Sequence, residues 1–171
     1  MTEPGRFYGK YRGLVLNNVD PMQMGRLQVQ VPDVTSLAPA SWAMPCVPVA
    51  GMQNGMMALP MIGSGVWVEF EQGDPDYPVW VGCFWGSAAE VPALSRLTPP
   101  AVQAITFQTP LQNGLTISDL PGPTGGIMLK STTGASIIVN DTGIYIQNGK
   151  GASIVMTGPS VTVNAGALVV V

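Results

Sequence analysis

Histidine is absent from this 171-residue chain, and only 10% of its residues carry a charge. No imidazole is therefore available as a general base, as the partner of a serine nucleophile or as a metal ligand. Lysine and arginine number 7 against 10 acidic residues, a formal net charge of −3. A nucleic-acid binder normally carries a basic stripe, and this balance runs against one. Cysteine occurs only as Cys46 and Cys83, with no CxxC or other metal-ligand spacing. Two small buried apolar side chains are the expectation for the pair, and a bond across neighbouring strands is the alternative. No run of 18 apolar residues occurs, and the amino terminus MTEPGRFYGKYRG lacks an apolar core. Neither a membrane span nor a signal peptide is expected, and no stable insertion into a membrane. G-x-S-x-G and P-loop motifs are missing too.

Glycine (21) and proline (16) are plentiful instead, without a collagen period. They predict many turns between short strands. RGLVLNNVDP (12–21) ends in an Asp-Pro turn signal. GRLQVQVPDV (25–34) alternates Leu27, Val29 and Val31 with Gln28 and Gln30, as a half-buried strand does. SWAMPCVPVA (41–50) is apolar but broken by prolines, which suits an edge or irregular strand. GMQNGMMALPMIGSG (51–65) reads as a glycine- and methionine-rich loop. VWVEFEQGD (66–74) alternates again, and PVWVGCFWG (78–86) follows the DPDYP turn. Five or six short antiparallel strands in this length suit a small closed barrel, since closure removes exposed edges. Trp42, Trp67, Trp80 and Trp85 fall in or beside these strands, as core or subunit contacts. A base-stacking platform would interleave them with lysine or arginine, but Glu69, Glu71, Asp74 and Asp76 stand there.

The region 87–104 reads as a connector with room for one short helical turn. Beyond it the chain changes character. From Ala101 to Val171 its charged residues are Asp119, Lys130, Asp141 and Lys150. Short apolar beats between glycines centre near 116, 128, 138, 145, 155, 162 and 169. GASIIV at 134–139 returns as GASIVM at 151–156, a weak internal repeat. Within the beats, Ile127/Leu129, Ile137/Val139, Ile144/Ile146, Ile154/Met156 and Val161/Val163 share one apolar face. Ser136, Tyr145, Gln147, Thr162 and Asn164 mark the other. One chain has too few polar residues to cover such a segment. A solenoid needs longer repeats, commonly about 20 residues or more. The favoured architecture is an intertwined prism of three chains, with backbone pairing between chains and no free side edge.

The first region also carries an ordered motif. It consists of Gly25, Arg26, Val29, Val31 and Pro32, then Trp42, then Pro60, Gly63, Val66, Val68, Phe70, Gly73, Asp74, Pro75, Pro78, Val79, Gly82 and Trp85. With the glycine-punctuated tail, it resembles the phage baseplate assembly protein V and VgrG-type central spike family of contractile tails and injection systems. The resemblance implies an all-β fold: a small OB-type antiparallel barrel followed by an intertwined trimeric β-helix needle. On that reading residues 1–9 are an N-terminal arm, 10–86 the barrel, 87–104 the connector and 105–171 the spike. The needle core is Ile127, Leu129, Ile137, Val139, Ile144, Ile146, Ile154, Met156, Val161 and Val163. Family members act as a spike below the tube that helps pierce a target envelope when the sheath contracts. Such a particle is assembled in the cytoplasm.

Some relatives insert a lysozyme domain or add an amino-terminal hub domain, and neither is expected here. The implied partners are two further copies of the chain, a separate hub protein and a PAAR-type tip protein. The tip would dock on the apolar end, Leu168, Val169, Val170 and Val171. No cofactor, metal or catalytic residue is expected. An enzymatic reading would start from Glu69 and Glu71, two apart on one strand face, or from Asp74 and Asp76. Neither pair separates an acid from a base, and the aspartates suit capping of turn N–H groups better than metal binding. An OB-type binding module for sugars or nucleic acid is the remaining alternative, and for nucleic acid the charge has the wrong sign.

Overall fold

The computed structural model describes residues 5–35 and 39–170, with backbone alone at 39, 40, 166, 169 and 170. Two compact units divide the chain between Glu90 and Val91.

The first unit contains β1 (Tyr11–Asn17), β2 (Leu27–Gln30), the one-turn helix α1 (Pro32–Thr35), β3 (Pro39–Pro45), β4 (Ala50–Gly51), β5 (Asn54–Gly55), β6 (Gly65–Phe70) and β7 (Pro78–Phe84). Five of the strands close into a barrel in the order β1-β2-β3-β7-β6, an OB-type arrangement. The expected antiparallel pairing holds at four junctions. The fifth, β3 with β7, is parallel and only two residues long, Met44 opposite Val79 and Pro45 opposite Trp80. Pro45 lacks the N–H that a longer ladder would need. Alternation fills the interior with Val15, Leu27, Val29, Val31, Ala43, Val66, Val68, Phe70 and Trp80. Gly13 leaves its place to Val68, whose Cγ2 stands 2.9 Å from where a Cβ would be.

Residues 5–9 of the expected arm fold back on the barrel. Phe7 donates its N–H to the Gly73 carbonyl at 2.8 Å, and its ring packs 6.2 Å from those of Tyr11 and Phe70. The methionine-rich loop is not wholly irregular, since β4 and β5 form a small hairpin there. The cysteines correct the sequence expectation: both are free and exposed. Cys83 stands opposite the buried Val66, beyond the register shift between Trp67 and Val68, and is exposed near the end of β7. Of the tryptophans, Trp80 is buried, Trp42 and Trp67 are half-buried and Trp85 is exposed.

Between barrel and sheet, two 3-10 turns occupy Ala88–Glu90 and Ala93–Leu97. The second unit then runs as β8 (Ala104–Gln108), β9 (Gly114–Ser118), β10 (Gly126–Lys130), β11 (Ser136–Asn140), β12 (Gly143–Gln147), β13 (Ser153–Thr157), β14 (Ser160–Val163) and β15 (Leu168–Val170). They form an eight-stranded antiparallel meander in sequence order. All seven beats read from the sequence are strands. β8 is an eighth, lying across the boundary drawn at 104/105. The ladders expected between chains are formed within one chain, because each short turn returns the strand beside its predecessor.

Candidate functional site

A five-residue strand whose apolar residues alternate sends them all to one face. In this meander the register aligns them from strand to strand. One row runs Ile105, Ile117, Ile127, Val139, Ile144, Met156, Val161. A second runs Phe107, Leu115, Leu129, Ile137, Ile146, Ile154, Val163, Leu168. Every residue expected in the needle core belongs to one of these rows. They nevertheless line a surface, not an interior: Ile105, Phe107, Ile117, Ile127, Leu129, Ile137, Val139, Ile146 and Ile154 are 36–57% exposed. Ile144, Met156, Val161 and Val163 are half-buried. A groove of about 780 Å³ follows the second row past Leu129, Ile137, Ile146, Ile154 and Val163.

The opposite face is less polar than its edges. Its central row is Thr106, Thr116, Met128, Ile138, Tyr145, Val155 and Thr162. The hydroxyls of Thr106 and Thr116 are buried and have no hydrogen-bond partner among the described residues. Nearby, the Thr98 hydroxyl donates to that of Ser118 at 2.9 Å. Of the tip-docking end, Leu168 is exposed and lies on β15, the last strand of the sheet. The side chains of Val169 and Val170, and Val171 altogether, lie outside the described residues.

In the barrel, Gly25 has φ +80, and its carbonyl accepts the buried Trp80 indole N–H at 3.0 Å. Arg26 lies over the Trp42 ring, 5.4 Å from its centre. Val29 and Val31 are in the core, and Pro32 opens α1. Gly63 has φ +87, and its N–H donates to the Val15 carbonyl at 2.8 Å. Phe70 closes the core beside the buried Gly73 (φ +77). The Asp74 carboxylate accepts the Asp76 N–H at 3.1 Å, so one turn aspartate does cap a backbone group. Pro75 lies in that turn, and Pro78 is fully buried at the start of β7. Gly82 faces Trp67 where the β6–β7 register shifts. Trp85 follows β7 and is exposed. These residues are spread around the barrel and converge on no single pocket.

The carboxylates weighed for catalysis are not gathered either. Glu69 bonds Lys10 at 2.5 Å, and Asp74 stands 3.7 Å from Arg6. Among the described residues no group of three His, Cys, Asp or Glu side chains could hold a metal ion.

One residue that organises the barrel escaped the sequence reading. Asp20, 2% exposed at its side chain, accepts the N–H groups of Met22, Met24 and Arg26. It also receives two bonds from the Arg26 guanidinium, at 3.0 and 2.7 Å. That guanidinium, helped by the backbone N–H groups, holds the Asp20 carboxyl far below the usual carboxylate range, against the opposing effect of burial. The clasp fixes the β1–β2 loop with Met22 and Met24 exposed. Met24 then lines a second groove, about 590 Å³, with Met44, Met56, Met57, Leu59 and Trp80. The Asp-Pro pair signalled a turn, but nothing in the sequence linked Asp20 to an arginine six residues on.

Residues 11–85 match the family model of the type VI secretion system/phage-baseplate injector OB domain. Residues 104–169 match that of the phage baseplate V C-terminal trimerisation domain. No curated protein matches the chain. The first match spans the closed barrel and the second the glycine-turned sheet, and the chain belongs to the baseplate-V/VgrG family of injection-system proteins.

Proposed function

We propose that three copies of this chain bring their sheets together as a three-sided β-prism, the needle of a central spike in the baseplate of a contractile injection apparatus. The family supports a structural baseplate role. The observation that carries the finer reading is the double apolar row left exposed along the whole meander. Five-residue strands span about 17 Å, so a triangle of three such sheets puts each about 5 Å from its axis. That is half the ~10 Å separation at which sheets pack face to face. The rows of Ile, Leu and Val would fill that interior without leaving a channel. Covering the exposed half of each such side chain is worth roughly 1 kcal/mol.

This prism differs from the intertwined one in that each chain supplies a whole face. Stiffness along the axis follows from eight hydrogen-bonded strands per face backed by a shared core. Such a needle helps pierce an envelope under force from a contracting sheath, and needs no catalytic residue. A separate hub protein joins the spike to the tube. The methionine-lined groove suits it, because no charged residue occurs from Val34 to Val68 and methionine adapts to apolar partners. A PAAR-type tip protein docks on the β15 end, whose outer backbone edge can accept a partner strand. The protein then resides in the baseplate of a phage tail or a related particle, assembled in the cytoplasm. Native mass measurement of the full chain tests the core of this reading. A trimer is expected, and a monomer at micromolar concentration would overturn it.

A further inference from the structure

Topology sorts the charges of the sheet. Turns at 109–113, 131–135 and 148–152 lie along one lateral edge, because β8, β10 and β12 end there. Turns at 119–125, 141–142 and 158–159 lie along the other, where β9, β11 and β13 end. Lys130, the last residue of β10, and Lys150, in the β12–β13 turn, are both on the first edge. Asp119, just after β9, and Asp141, just after β11, are both on the second. The sheet has no other charged residue, so one edge is basic and the opposite edge acidic.

The turns hold two of these groups in place. Asn148 accepts the Lys150 and Ala152 N–H groups at 2.8 and 3.1 Å. Asn140 accepts those of Thr142 and Gly143 around Asp141 at 3.0 and 3.2 Å. The three ion pairs among the described residues all lie in the barrel unit, and none of them includes any of the four sheet charges. Asp141 accepts one backbone N–H, from Gly122, and a carboxylate has room for more.

We infer that neighbouring copies are locked at the corners of the prism by lysine–aspartate pairs, the Lys130/Lys150 edge of one copy against the Asp119/Asp141 edge of the next. This rests on the three-sheet reading and adds to it the direction of assembly. Rotation about the needle axis sets a basic edge beside an acidic one at every corner. A two-fold axis that reverses the needle would set like charges together. The axial spacing agrees. Asp119 and Asp141 are separated by two strands, about 10 Å, and the lysines by two to two and a half, about 10–12 Å. Each lysine stands about one strand, ~5 Å, further along than an aspartate, and a lysine side chain spans that offset. The pairs thus select parallel, in-register copies, while the apolar rows supply most of the binding. They are exposed and salt-sensitive.

A zero-length carbodiimide cross-linker applied to the native assembly reads the contacts directly. Within one chain the two edges are about 17 Å apart, too far for an amide bond between them. Peptides joining Lys130 or Lys150 to Asp119 or Asp141 are therefore expected only from neighbouring copies. In parallel, K130E/K150E makes both edges acidic. The concentration at which half the trimer dissociates should rise about tenfold or more at low salt, and the difference should shrink at high salt. Exchanging both edges, K130D/K150D/D119K/D141K, restores complementarity and should return assembly close to that of the original chain. A trimer that gives no such cross-links overturns the inference and leaves the prism standing. So does a K130E/K150E chain that assembles like the original, or a double exchange no better than the single one. An original chain that is monomeric removes the prism and the corner pairs together.

Discussion

The barrel and the sheet use the same short alternating strands, yet only the barrel buries what it alternates. Closing β1-β2-β3-β7-β6 on itself gives five strands no free edge and shuts nine residues into one core. The sheet, with more strands, remains open at β8 and β15 and leaves its best-patterned face uncovered. Among the described residues the barrel also holds three ion pairs, and none of the sheet's four charges is in one. Alternation is thus a promise of burial that one chain can keep only if its sheet closes. Where it does not close, the same pattern is left exposed, and in the three-sheet needle proposed above it is the interface.

The sharpest way to break this contrast is a matched pair of substitutions. Ile146→Asp places a carboxylate in the middle of the second row, between Ile137 and Ile154. In the assembled needle three such charges would share one dry core, so assembly should be abolished at micromolar concentration. The barrel's own unfolding transition should stay where it was. Leu27→Ala, at a fully buried barrel position, should do the reverse. It costs about 2–5 kcal/mol of barrel stability and leaves the oligomeric state unchanged. Native mass measurement and denaturant unfolding, applied to both variants, check the two halves of the expectation. An Ile146→Asp chain that still forms a full-strength oligomer would show that the apolar rows are not the interface.

Much of this is legible in the sequence. Leu27, Val29 and Val31 against Gln28 and Gln30 fixed both the strand and its inward face, because a period of two leaves no other choice. The glycine corners likewise placed β9 to β15. β8 was missed because Ile105-Thr106-Phe107 is a single short alternation with no glycine to announce it. Pairing was harder than patterning. The ladders read as inter-chain are hairpins within the chain, since alternation says which side a residue faces and not which strand lies next to it. The cysteines failed for a different reason: composition favours burial, but Cys83 stands near the end of β7, exposed although it pairs with the buried Val66. The separation of lysine and aspartate onto opposite edges depends on turn parity, which alternation within a strand does not reveal.

A second test concerns how each unit holds its loops. The barrel's β1–β2 loop relies on a buried carboxylate, Asp20, where the sheet's turns after β11 and β12 rely on Asn140 and Asn148, which do not ionise. Because the Arg26 guanidinium lowers the Asp20 pKa in the folded state, folding favours the ionised form. That contribution is fully present above the ordinary aspartate value, about 3.9. It is lost as pH falls below it toward the folded-state value. Acid titration followed by tryptophan fluorescence should therefore destabilise the barrel below about pH 4, and Asp20→Asn should remove part of that dependence while weakening the loop at neutral pH. A D20N barrel with the original acid profile would show that other carboxylates govern it.

The smallest expected effect bears on the sheet's other face. Thr116 is buried, its hydroxyl has no partner among the described residues, and Thr106 stands opposite it in the ladder with the same defect. The 3-10 turn at Ala93–Leu97 packs beside β8 and β9, and Leu94 occupies the space where Gly114 would carry a Cβ. If that cover is complete, the hydroxyl is desolvated without return. Thr116→Val, which keeps the shape and removes the polar atom, should then stabilise the sheet by up to about 1 kcal/mol. If the hydroxyl instead finds a partner from a neighbouring copy in the needle, the same change should cost about 0.5–1.5 kcal/mol, and only in the assembled state. Thermal unfolding of the trimer, compared with that of a chain kept monomeric by Ile146→Asp, separates the two results. The sign of so small a number decides whether assembly covers one face of the sheet or reaches around to both.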